Sequence, residues 1–178
     1  MSATTNKAAS SASKAQKAAL LDDEGDLTPK FEAALIRVFA RFSASYKKRH
    51  PDVHASESKS SASLPRPDAA DVLTEADLDA FSTVTNGATL PQESKNEIRE
   101  FLDTDEEGNL TLRGFIEMYH LQSDNEPEET WKDLGKLGFD DSLGYNGEQA
   151  EQPETKEAEA SISKEAAESR DKLYQGDD

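Results

Sequence analysis

The run Asp103-Thr-Asp105-Glu-Glu107-Gly108-Asn109-Leu110-Thr111-Leu-Arg-Gly114 restricts the fold of this chain more than any other stretch. Oxygen-bearing side chains recur at alternate places up to a glycine, and a hydrophobic residue and a threonine follow it. Apolar residues at helical spacing flank it: Ile98, Phe101 and Leu102 before, Phe115, Met118, Tyr119 and Leu121 after. A hard cation needs about six to eight oxygen ligands, and a loop between two helices supplies them from alternate positions with a glycine at the sixth for the sharp turn. Asp103, Asp105 and Glu107 take the first, third and fifth positions. Asn109 offers its carbonyl at the seventh, and Thr111 a hydroxyl or a water at the ninth. At the twelfth, where a bidentate glutamate is usual, stands Gly114. That loss predicts binding no tighter than roughly 10⁻⁴ M. Calcium is the expected ion, and magnesium fits the same oxygen set. The other reading of these residues is a metal-free turn, in which Asp103 caps and Gly108 bends the chain.

A second copy of the skeleton lies upstream. Leu73-Thr74, followed by Asp77, Leu78 and Phe81, matches Leu110-Thr111, followed by Gly114, Phe115 and Met118. This makes a pair of helix–loop–helix units, the first degenerate. Its loop carries an insertion over residues 43–70 and lacks alternating acids, so no cation is expected there. Thr74 with Asp77 also reads as a helix cap, a threonine three residues ahead of an acid. The loops of such a pair are expected to touch through Leu73 and Leu110.

Helix signals fill in the remainder. Thr28-Pro29 is a helix start, and Leu35, Val38, Phe39 and Phe42 then recur on one face. Asn86-Gly87 ends the helix that follows Thr74, and Leu90-Pro91 opens the next, reaching Leu102. Pro127 and the acids after it begin a further helix that closes at Gly138. Trp131, Leu134 and Leu137 line one face of it, with Phe139 just beyond. A two-unit core leaves an apolar groove that accepts such a helix, and the short connection before it predicts that this chain fills its own groove. Docking of the same helix on another protein is the alternative.

The chain has 178 residues, of which 34% are hydrophobic and 32% charged, with a net charge of −17. Such a balance predicts disordered segments, assigned to residues 1–27 and 144–178 around a folded part at 28–143. The acidity disfavours nucleic acid as a partner and suits a cation or a basic protein segment. No apolar run is long enough for a membrane span. Without cysteine there is no disulfide framework and no thiolate metal site, which fits an intracellular, cytoplasmic setting. His50 and His54 flank Pro51 and are read as solvated, and no nucleophile–base set can be assembled. The chain is not expected to be an enzyme.

The run Leu110 to Phe115, then Glu128-Glu-Thr-Trp131 and Leu137-Gly-Phe139, resembles the EF-hand units of mitochondrial Rho GTPases. It is also similar to small fungal EF-hand proteins with Gly-Phe-x-x-Met-Tyr and Thr-Trp-x-Asp-Leu signatures. The resemblance covers about residues 30–143. It implies an all-α fold in which a hidden hand pairs with a visible one and a following helix occupies the groove as a ligand mimic. It also implies a calcium-binding EF-hand protein acting as sensor or adaptor, the alternative being a metal-independent interaction scaffold. No glycine-rich phosphate loop is present, so GTPase activity is not implied.

Overall fold

In a computed structural model of the chain, residues 17–53 and 64–147 are described, and they are mostly helical. The order is α1 (Pro29–Phe42), α2 (Ala44–Arg49), β1 (Val72–Leu73), α3 (Glu75–Asn86), α4 (Gln92–Phe101), β2 (Leu110–Thr111), α5 (Leu112–Asn125) and α6 (Pro127–Lys136).

α1 is the hub. Thr28 caps it by accepting the Phe31 N–H, and Pro29 occupies the first turn, where its missing donor costs nothing. Phe31, Leu35, Val38 and Phe39 are fully buried or nearly so, on one face. Aromatic rings of three helices meet edge-on in the core. The Phe39 and Phe115 centroids lie 5.9 Å apart, and those of Phe81 and Phe115 5.6 Å. This is the arrangement that ring quadrupoles favour.

β1 and β2 pair antiparallel, with Leu73 opposite Leu110 and Val72 opposite Thr111. Two residues per strand make too little ladder to stand alone; both leucines are fully buried, and that burial holds the pair. Each strand runs straight into a helix capped by its threonine. Thr74 and Asp77 form a reciprocal capping box on α3, and Thr111 caps α5.

α6 packs on α5 and α3. Leu134 and Leu137 are fully buried and Phe139 nearly so, whereas Trp131 is half-buried at the margin of the same cluster. α4 is held differently. Its buried residues are Lys95 and Ile98. The Lys95 ammonium reaches Glu75 at 3.1 Å and Asp79 at 2.9 Å, and Arg99 reaches Glu75 at 2.9 Å. The expected apolar face of α4 therefore loses Phe101, which is 74% exposed. It stands off the stripe formed by Lys95, Ile98 and Leu102 at helical spacing.

Two expected boundaries move. Residues 17–27 are packed rather than tail-like: Leu20 is buried, and the Ala18 N–H donates to the Asp141 carbonyl at 2.7 Å. Residues 144–147 likewise belong to the fold, since Tyr145 bridges Phe139. The insertion at 43–70 is anchored at both ends. Ser43 caps the short α2, and the buried Tyr46 donates its hydroxyl to the Pro65 carbonyl at 2.8 Å. Val53 and Leu64 pack with Tyr46 and Ala40, and Arg49 pairs with the buried Asp71 at 2.9 Å. A single aromatic carries this small cluster, so no periodicity announced it. The expected tails at 1–16 and 148–178 and the middle of the insertion lie outside the described residues. Among the described residues no helix is long and apolar enough to cross a membrane.

Candidate metal centre

The Asp103–Gly114 loop closes on itself. The Asp105 carbonyl accepts the Gly108 N–H at 3.0 Å, the Asp105 N–H donates to the Asn109 carbonyl at 2.9 Å, and Thr104 bridges Leu110. Gly108 has φ 81°, a left-handed conformation that a side chain would strain. The Asp105 carboxylate fills the turn. Its Oδ1 accepts the N–H groups of Glu107 at 3.0 Å and Asn109 at 2.8 Å, and its Oδ2 accepts the Asn109 side-chain amide at 3.0 Å. The Asn109 side-chain bond first, then the backbone donors, hold the Asp105 carboxyl below its ordinary range.

Asp103 is engaged elsewhere. The Thr111 hydroxyl donates to its carboxylate, while the Thr111 N–H reaches its carbonyl at 3.2 Å. Glu107 is exposed, and its carboxylate accepts the Asn109 side-chain amide at 3.4 Å. Asp103, Asp105, Glu107, Asn109 and Thr111 thus belong to one loop, but their oxygens serve the loop's own donors. Among the described residues, the three acids with carboxylate oxygens within 4.8 Å of one another are Asp22, Glu24 and Asp26, all exposed.

Gly114 explains the missing twelfth ligand. A Cβ on it would lie 2.3 Å from the Asp103 carbonyl oxygen and 2.6 Å from a Leu110 methyl. The backbone of the first loop residue occupies the space through which a twelfth-position side chain would leave the helix. The first turn of α5 and the start of the loop are packed as one piece, with the Gly114 N–H capped by Thr111 at 3.2 Å.

Among the described residues the same turn occurs three times, which the sequence reading missed. Asp22 Oδ1 accepts from Glu24 and Asp26 at 2.9 and 3.0 Å, between the bridged Leu21 and Leu27. Asp140 Oδ1 accepts from Ser142 and Gly144 at 2.8 and 3.0 Å, between the bridged Phe139 and Tyr145. In each, the residue three after the aspartate has positive φ: Gly25, Gly108 and Leu143. The signal was present for the first two: Asp22-Asp-Glu-Gly-Asp-Leu-Thr28 beside Asp105-Glu-Glu-Gly-Asn-Leu-Thr111. In both, the leucine pairs across the turn and the threonine caps the next helix. The third carries Leu143 where glycine is usual and was not recognisable.

α6, the helix expected to fill a groove, packs against α5 and α3. Leu134 and Leu137 are its anchors, Phe139 sits behind them, and Trp131 takes the rim, where the Lys17 ammonium lies 5.3 Å from its ring centroid. Between α5 and α6, Ser123 and Thr130 share a buried hydrogen bond at 3.1 Å, and Asp133 accepts from the Tyr119 hydroxyl at 3.3 Å and from Gln122 at 3.1 Å. Burial raises both the Asp133 carboxyl and the fully buried Tyr119 phenol above their ordinary values. No protein-family model matches the chain, and no curated protein matches it.

Proposed function

We propose that this chain is an EF-hand-like pair whose second loop keeps its shape without a cation, and that it serves as a protein-interaction scaffold rather than an enzyme. The carrying observation is Gly114: with the Asp103 carbonyl 2.3 Å from where a side chain would begin, the loop has no room for a twelfth ligand. The Thr111 hydroxyl on the Asp103 carboxylate and the saturated Asp105 oxygens support the same reading. The antiparallel Leu73–Leu110 contact and the threonine-capped helices after each strand support the paired-hand architecture. The buried Leu134 and Leu137 support a groove filled from within, as a ligand mimic would fill it. With a net charge of −17, the partner this surface suits is a basic protein segment.

Calcium binding at Asp103–Thr111 is the second reading. It is favoured by three acids in alternate register ahead of a left-handed glycine. Calorimetric titration with calcium, alongside Trp131 fluorescence, separates the two. The scaffold reading expects a folded protein with no saturable heat and no fluorescence change at millimolar calcium. Saturable binding abolished by Asp103→Ala would overturn it in favour of a sensor.

A further inference from the structure

We propose that Asn146 is a site of spontaneous deamidation that unfastens the C-terminal turn, and that Asn86 is a protected site of the same local sequence. Both asparagines are followed by glycine, the neighbour that least hinders attack of the next backbone nitrogen on the side-chain amide. The Gly147 nitrogen adds to Cγ of Asn146 and gives its proton to water. The Cγ–Nδ2 bond then breaks as Nδ2 takes a proton from water, ammonia leaves, and a cyclic imide remains. Water opens that ring at either carbonyl, giving aspartate or isoaspartate, so the only co-reactant is water.

The two sites differ in whether that nitrogen is held by a hydrogen bond. Asn86 is the last residue of α3, and the Gly87 N–H closes a helical hydrogen bond to the Thr83 carbonyl at 3.0 Å. Both side-chain amides are hydrogen-bonded, that of Asn86 to the Ser82 hydroxyl at 3.4 Å and that of Asn146 to Asp140 at 2.9 Å, so the difference lies at the glycine nitrogen. Attack at Asn86 requires that helical turn to open. Asn146 is exposed and lies beyond α6. Its own N–H is held by the Gly138 carbonyl at 2.8 Å, and among the described residues no hydrogen bond engages the Gly147 N–H.

The consequence follows from what the Asn146 amide does. Its Nδ2 donates to Asp140 Oδ2 at 2.9 Å, completing the set of donors around that carboxylate. Deamidation replaces a donor with a second carboxylate at hydrogen-bond distance from the first. The attraction becomes a repulsion inside a turn that carries Phe139 and Leu143 into the core and sets Tyr145 over Arg37, 4.7 Å from its ring centroid.

The test incubates the purified full chain at mildly alkaline pH and follows both sites by peptide mapping that resolves aspartate from isoaspartate. A short peptide spanning Asn146 serves as the rate reference. Conversion at Asn146 is expected to run at least about tenfold ahead of Asn86, the factor by which closure of one protecting hydrogen bond suppresses local opening. Equal rates at the two sites, or an intact Asn146 while the reference peptide converts, would overturn the assignment. For the unfastening, Asn146→Asp is compared with the parent by amide hydrogen exchange. Exchange at Leu143 and Gly144 is expected to rise about tenfold, and unchanged exchange there would sink it.

Discussion

A single methyl group is the sharpest probe of the second loop. In most helices Gly→Ala is stabilising by roughly 1 kcal/mol, because alanine has the better helix propensity. Gly114 should behave in the opposite way, since the added carbon meets the Asp103 carbonyl and a Leu110 methyl well inside contact distance. Overpacking of this kind costs about 1–3 kcal/mol. Gly114→Ala is therefore expected to lower the denaturant midpoint of urea unfolding. A rise would mean that the start of the loop yields easily. The same crowding makes Gly114→Glu a poor route to a tight calcium site, although glutamate is the residue that the loop register calls for.

Elements in this fold are joined by two different forces, and they predict different sensitivities. α6 is held by apolar burial, with Leu134 at its centre and Trp131 at its rim. Leu134→Ala is expected to cost about 2–5 kcal/mol. Trp131→Ala should cost less, because part of its ring already faces water and only the hidden area contributes. Equilibrium unfolding of the two variants checks the order, and a larger loss at Trp131 would make the tryptophan the anchor instead. α4 is held by Lys95 between Glu75 and Asp79, with Ile98 beside it. Lys95→Met takes the ammonium from Asp79 and leaves Glu75 to Arg99, and yet adds apolar contact. Its effect on global stability should be small, while hydrogen exchange in α4 should become less dependent on ionic strength, with the Arg99–Glu75 pair carrying what remains.

Across the whole molecule, two carboxyl groups act on stability in opposite directions as pH changes. Asp140 is lowered from 3.8 to about 2 by hydrogen bonds from the Ser142 hydroxyl, the Gly144 N–H and the Asn146 amide. A depressed carboxyl contributes stability that is fully present above its unfolded value and is lost as pH falls through its folded one. Asp133 is raised, chiefly by burial against α5, with Gln122 and Tyr119 pulling it back. Its penalty is complete above the raised value, shrinks as pH falls below it and is gone below the unfolded value. Acidification from neutrality should therefore first relieve Asp133 and then, between about 4 and 2, undo the Asp140 turn. Unfolding curves of Asp140→Asn are expected to be flatter in that acid window. A parent-like slope would show that the turn does not depend on this carboxylate.

Local chemistry made much of this architecture legible in the sequence. Thr28-Pro29, Thr74 with Asp77, Asn86-Gly87 and Pro127 mark helix ends through caps and fixed dihedrals, which act over a few residues and read the same in any context. The periodicity of Leu35, Val38, Phe39 and Phe42 marked the buried face of α1 for the same reason, and the repeated Leu-Thr pair located the facing strands. What the sequence could not decide was which of several equivalent groups would be used. Acids in ligand register are chemically able to hold a cation, and equally able to accept the N–H groups of their own turn. Only the folded backbone brings the Asp103 carbonyl against Gly114 and shows which donors the Asp105 oxygens meet. Burial likewise depends on neighbours distant in the chain, so tertiary packing alone sent Phe101 outward and put Leu134 ahead of Trp131. It also drew residues 17–27 and 144–147 into the fold, through contacts such as Ala18 with Asp141 that no local pattern encodes.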